Sequence, residues 1–154
     1  MTEKYYRKKL GPKLLNACYF GNKSLAIKLI KEGADPFYID SRDGWSGIHY
    51  AARWGILPII RALIASGVSV NMLTTGKETP LHKACRTNRV NVCCWLLKNG
   101  ADPNILNGSK QRPSDLTLSK EIRFICDHFE EYCKIIEGQK NNVKKENNIT
   151  SSHQ

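Results

Sequence analysis

One motif recurs along this chain at a step of 33 or 34 residues, and so short a period restricts the fold to stacked copies of one small unit. His49 and His82 stand 33 apart, as do Gly67 and Gly100, and Asn71 and Asn104. Ala51-Ala52 matches Ala84-Cys85 at the same offset. Upstream, Ala17-Cys18, Gly21 and Gly33 precede Ala51-Ala52, Gly55 and Gly67 by 34, and downstream Pro113 and Asp115 follow Pro80 and His82 by 33.

Each unit reads as two short helices and a returning loop. In the second, Gly44 marks a turn and a helix of about eight residues runs from Gly47 to Trp54, with Ala51-Ala52 small enough for a neighbouring helix to approach closely. Gly55 breaks the chain, and Pro58 falls in the first turn of the next helix, where its missing N–H costs nothing. Ile59, Ile60, Leu63 and Ile64 form an apolar stripe at helical spacing, and Gly67 supplies a left-handed cap. One such unit cannot bury its apolar faces alone, so neighbours must stack.

The third unit resembles the ankyrin repeat. Gly76-Lys77-Glu78-Thr79-Pro80-Leu81-His82-Lys83-Ala84-Cys85 carries the Thr-Pro-Leu-His-x-Ala signature outright, whereas the second unit has Ser46-Gly47-Ile48-His49 in its place. Leu96 to Asn104 is similar to that family's second helix and hairpin approach. The resemblance covers roughly residues 10–137. It implies an all-α solenoid of about four helix-turn-helix units, near 10–40, 41–73, 74–106 and 107–137, with β-hairpin-like connecting loops and the end units acting as caps. The first unit carries one extra residue in its exit loop, between Asp35 and Asp43. The fourth, from Arg112-Pro113-Ser114-Asp115-Leu116, continues into a longer helix with Ile122, Ile125, Cys126, Phe129, Cys133 and Ile136 on one stripe. Gly138 is expected to end that helix. Residues 138–154, rich in Asn, Lys and Ser without apolar periodicity, are expected to be a disordered basic and polar tail after a repeat domain of residues 1–137.

Composition narrows the function classes. No apolar run approaches the roughly 18–20 residues that span a bilayer, so membrane insertion is not expected. The segment behind Met1 has no apolar stretch, so no signal peptide is expected and the cytoplasm is the default compartment, with the nucleus as alternative. Cys18, Cys85, Cys93, Cys94, Cys126 and Cys133 include no C-x2-C pair, which argues against zinc and for reduced thiols acting as small hydrophobes. No phosphate-cradling loop, dinucleotide fingerprint, nucleophile elbow or H-E-x-x-H occurs, and no cofactor or catalytic residue is expected. The formal charge of +10 concentrates in residues 1–13 and 76–108. That balance permits an acidic partner; nucleic acid or acidic lipid is the second reading, weakened by the lack of any accompanying motif.

The histidines are architectural by position, since a structural task recurs with the repeat and a catalytic one does not. The ankyrin resemblance implies that His49, Thr79 and His82, with Pro80 opening the helix, tie loop to helix by hydrogen bonds. His128 and His153 have nothing arranged around them. The resemblance also implies that hairpin tips and first-helix ends form a concave partner surface. On this sequence those positions hold Tyr19, Phe20, Arg42, Asp43, Trp45, Arg53, Trp54, Glu78 and Arg86, with Thr87, Gln111 and Lys120 further along. Tyr, Trp and Arg are the types enriched at interface hot spots. The expectation is a non-catalytic module, monomeric by itself, that binds another protein as adaptor, inhibitor or regulatory subunit. Trp54 and Phe20 packing across the gap between neighbouring first helices is the competing reading, and Trp95 is assigned to convex-side packing.

Overall fold

The computed structural model describes residues 2–152. Its helices are α1 (Glu3–Tyr19), α2 (Lys23–Lys31), α3 (Gly47–Trp54), α4 (Leu57–Ala65), α5 (Pro80–Arg86), α6 (Val90–Lys98), α7 (Lys120–Asp127) and α8 (Phe129–Ser151), with a 3-10 turn at Pro113–Leu116. Among the described residues there is no β-strand, only an isolated antiparallel bridge between Ile39 and Ser46. The first helices α1, α3 and α5 stack in a row that ends on the 3-10 turn; α2 packs on α4, and α6 on α7. The chain is an all-helical solenoid.

The repeat positions explain the packing. Ala51, Ala52, Ala84 and Cys85 are fully buried between stacked first helices, where only small side chains leave room. Ile59, Ile60 and Leu63 of α4 and Leu96 of α6 are equally buried and supply the apolar bulk. A Leu or Ile in such a position stabilises the fold by roughly 1.5–3 kcal/mol relative to exposure. Gly67 holds φ at 99°, the left-handed conformation that ends α4.

Each finger closes with one backbone bond, and the bonds reveal the inserted residue. Thr74 N–H donates to Glu78 and Asn107 N–H to Gln111, whereas in the first finger Asp40 N–H reaches one residue further, to Trp45. Neighbouring fingers are linked by Thr75 N–H donating to the Asp43 carbonyl at 3.0 Å and Gly108 N–H to Gly76 at 2.8 Å.

Three expectations need correction. The first helix does not start near residue 10 but runs from Glu3 through Pro12; its buried residues begin at Leu10, and the two turns before it are exposed. A Cβ at Gly11 would sit 2.8 Å from Tyr38 Cδ2. The long final helix is broken at His128, with φ −137° and ψ 44°. The break turns Phe129 and Tyr132 back onto the core, which one straight stripe from Ile122 to Ile136 cannot do. Nor does Gly138 end α8, which continues to Ser151. Residues 138–151 are helical in the structure; α8 buries none of its residues, and past Phe129 and Tyr132, which pack against the core, it rests on local propensity. His153 lies outside the described residues.

Candidate functional site

His49 and His82 are fully buried and fix the turns rather than face a cleft. His82 Nδ1 accepts the Thr79 N–H at 3.0 Å while Thr79 Oγ1 accepts the His82 N–H at 3.3 Å, a reciprocal cap at the start of α5. Pro80 occupies the first turn, where its missing N–H is harmless. Ser46 and His49 repeat the cap, with the Ser46 N–H donating to His49 Nδ1 at 3.1 Å. Because Nδ1 accepts, Nε2 carries the proton and donates into the next finger: His49 to the Met72 carbonyl at 2.7 Å, His82 to the Gln111 carbonyl at 3.0 Å. Burial lowers the His49 pKa to about 4, against partial support for the charged ring from the Met72 carbonyl. His82 is lowered as well, by burial first. Both imidazoles are neutral struts.

The inner ends of α1 and α3 carry an aromatic cluster with a cation set in it. Tyr19 lies edge-on to Phe20 and Tyr50, with ring centroids 5.0 and 5.3 Å apart, and Tyr50 is 4.8 Å from Trp45. The Arg53 guanidinium lies 5.8 Å from both the Trp45 and Trp54 rings. Trp54 Nε1 donates to the Tyr19 carbonyl at 2.7 Å, crossing from α3 to α1. That tryptophan therefore ties two units together, and half its surface remains open. Phe20 is 72% exposed, so its ring does little for the stack.

Beside this cluster a groove of about 690 Å³ opens between α1 and the first finger, lined by Lys13, Asn16, Tyr19, Ile39, Arg42 and Tyr50 among others. Arg42 and Asp43 are exposed on that finger; the Arg42 N–H donates to the Asp40 carboxylate at 2.7 Å, which fixes the turn and leaves the guanidinium outside. Neither Arg42 nor Arg53 forms an ion pair among the described residues.

Glu78 is placed differently from the other candidates. Its carboxylate is buried and engaged by Lys83, by Arg86 and by the Asn107 amide at 3.2 Å. Burial alone would raise its pKa, but the hydrogen bond and charge of Lys83, with Arg86 and Asn107, outweigh burial and hold it below the ordinary value. Lys83 is pushed down, chiefly by burial, and its ammonium sits 3.6 Å from the centre of the Trp45 ring. Arg86 pairs with Glu78 and keeps about half of its side chain exposed. Thr87 donates through Oγ1 to the Arg53 and Lys83 carbonyls, at 3.0 and 2.9 Å. Tyr19, Phe20, Arg42, Asp43, Arg53, Trp54 and Arg86 thus present exposed surface, Trp45 is half-buried, and Glu78 faces inward.

Two contributors escaped the sequence reading. Tyr50 and Lys83 occupy the variable position between the histidine and alanine of the repeat signature, 33 residues apart. A large side chain there in both units was the available signal. Trp95 lies on α6 with the Arg61 guanidinium 5.9 Å from its ring, away from this face. Cys85 Sγ lies 3.7 Å from Cys93 and 3.5 Å from Cys126, all buried between the third and fourth units. Burial also pushes the Cys18 thiol up to about 12, so it packs as a small hydrophobe. Among the described residues no group of His, Cys, Asp and Glu is arranged to hold a metal ion, and no helix is long and apolar enough to cross a membrane.

The stacked helix pairs, the fingers and the buried Thr-Pro-Leu-His cap define a repeat solenoid. A family model described as ankyrin repeats in three copies matches residues 14–107, and the chain belongs to the ankyrin repeat family. Human ankyrin repeat domain-containing protein 40 is 35% identical over 88 residues, 56% of this chain and 24% of that protein. Human Rabankyrin-5 is 33% identical over 108 residues, 70% of this chain and 9% of its own length. The tankyrase of Caenorhabditis elegans, a poly(ADP-ribose) polymerase by name, is 32% identical over 98 residues, covering 64% of this chain and 4% of that protein. The chain spans less than a quarter of the length of each of these relatives. Ankyrin repeats are in general protein–protein interaction modules and typically non-catalytic.

Proposed function

We propose that this protein binds another protein on its concave face, over the first two units, and acts by occupancy rather than catalysis, as an adaptor, inhibitor or regulatory subunit. The observation that carries the reading is the exposed cluster of Tyr19, Phe20, Arg53 and Trp54 beside the groove under the first finger. Phe20 and the Arg53 guanidinium add little to the solenoid, and aromatic and arginine side chains are the usual anchors of protein interfaces. Six unpaired cysteines support a reducing compartment, the cytosol or nucleus.

The test is affinity capture from nuclease-treated lysate at low and high salt, comparing the unchanged protein with Phe20→Ser/Arg53→Ala and with a second-helix control, Arg61→Ala/Lys98→Ala. These exposed positions are chosen over Trp45 and Trp54, whose removal would also loosen the contact between units. Proteins retained at high salt, lost by the first variant and kept by the control are the expected result. If both variants and the unchanged chain retain the same proteins and shed them with salt, the concave-face reading fails and a basic-surface binder replaces it.

A further inference from the structure

Three aliphatic side chains stand where this fold has no structural use for them. Ile39, Leu73 and Leu106 occupy equivalent positions of three successive fingers, 34 and 33 residues apart, and are 48%, 48% and 50% exposed. Ile39 lines the groove under the first finger together with Tyr19, Tyr50, Lys13 and Arg42. By repeat equivalence Leu73 and Leu106 continue that edge along the next two fingers. Exposed apolar side chains scattered singly call for no explanation, but a row kept in register with the repeat is a continuous surface.

The charge beside this edge is mostly positive. Lys13, Arg42 and Arg53 form no ion pair among the described residues, and Arg86 keeps half its side chain in solvent. Of the nearby carboxylates, Glu78 is neutralised by Lys83 and Arg86, whereas Asp40 accepts the Arg42 N–H and keeps its charge. Asp40, which also lines the groove, and Asp43 oppose the four cations and leave an excess of positive charge. The formal charge of the whole chain, +10, has the same sign.

We infer that the groove takes a linear segment of another protein in which carboxylates alternate with aliphatic residues. The aliphatics lie along Ile39, Leu73 and Leu106, and the carboxylates face Lys13, Arg42, Arg53 and Arg86. This inference rests on the concave-face reading and adds the chemistry of the partner. The aliphatic row follows the repeat, Arg53 and Arg86 follow it with a step of 33, and a ligand carrying both chemistries matches them together. A polyanion such as nucleic acid would use the cations and leave the aliphatic row in water, and a neutral apolar segment would leave the arginines unmatched.

The experiment pans a phage-displayed library of random twelve-residue peptides against the full chain, then measures the enriched peptides by fluorescence polarisation. The variants are Arg42→Glu/Arg53→Glu, Leu73→Ser/Leu106→Ser and Phe20→Ser, each checked by circular dichroism; heparin serves as a plain polyanion. Expected are peptides rich in Asp or Glu interleaved with Leu, Ile or Val, weakened about tenfold or more by each of the first two variants. Panning on the charge-reversed variant should then select Lys and Arg. If heparin binds the leucine variant as tightly as it binds the unchanged chain and displaces the peptides from both, the aliphatic row is idle and the inference falls. Enriched peptides that lack carboxylates but weaken with Phe20→Ser leave the concave-face reading standing and overturn the partner chemistry. Peptides indifferent to all three variants bind elsewhere, and both readings fall. Absence of any enriched peptide overturns a linear segment as the ligand, and the capture experiment then decides for a folded partner.

Discussion

His49 is a neutral imidazole by construction, and that makes the stability of this protein depend on mildly acidic pH. Its pKa falls from 6.5 to about 4 in the folded chain, first through burial, so the unfolded chain takes up the proton before the folded one does. The contribution is full above about pH 6.5, shrinks as pH falls, and is lost once pH passes below about 4. At 1.36 kcal/mol per pKa unit its size is on the order of 3 kcal/mol, and His82 acts in the same direction. The free energy of unfolding in urea should therefore drop between about pH 7.5 and pH 5, before protonation of the depressed Glu78 carboxyl contributes. In His49→Gln/His82→Gln the protein should be weaker at the higher pH yet lose less on acidification. A parallel decline in both proteins would show that the histidines do not carry the pH dependence.

At the scale of elements, the fingers show how a repeat tolerates imperfect residues. Gly44, Lys77 and Lys110 hold φ at 64°, 59° and 58° at matching finger positions. Glycine takes that conformation freely, whereas a side chain there costs roughly 1 kcal/mol, partly offset by the flexibility glycine adds to the unfolded chain. Lys77→Gly and Lys110→Gly should each raise the urea midpoint, by about 0.5–1 kcal/mol of stability. Gly44 allows no converse change: its Cβ would fall 2.5 Å from Thr75 Oγ1 and 2.9 Å from the Thr75 nitrogen that bonds the Asp43 carbonyl. Unchanged midpoints in the lysine variants would mean that the fingers relax without strain.

For the molecule as a whole, stability belongs to residues up to about 137, because each first helix is clamped by the next and the core ends at Phe129 and Tyr132. The remainder of α8 has no tertiary partner, and a helix of that length is marginal in water on its own. Truncation after Gly138 should leave the Tm within about 2 °C of the full chain. Backbone amides of residues 139–151 should exchange nearly as fast as in a free peptide, while those of α3 and α5 exchange only through global unfolding. Protection of the tail, or a large fall in Tm on truncation, would mean that α8 is held by contacts of its own.

The repeat, the pairing of short helices and the extra residue in the first finger were legible in the amino-acid sequence, and the ankyrin resemblance implied the caps built on Thr79, His82 and His49. A helical stripe and a capping pattern are complete within a few neighbouring residues, and a period is visible by comparing the chain with itself. Which candidate side chains are exposed and which are buried depends on the folded chain. Glu78 reads on the sequence as one more polar finger residue, yet Lys83 and Arg86 from α5 and Asn107 from the next finger converge on it and turn it inward. Trp54 became a strut between units when its indole met the Tyr19 carbonyl, and Tyr50 entered the groove from inside the signature itself. Tyr38 packs against Gly11 of α1 from 27 positions away. The charge, exposure and reach of a side chain depend on neighbours brought in from distant positions, and no period in the sequence records them.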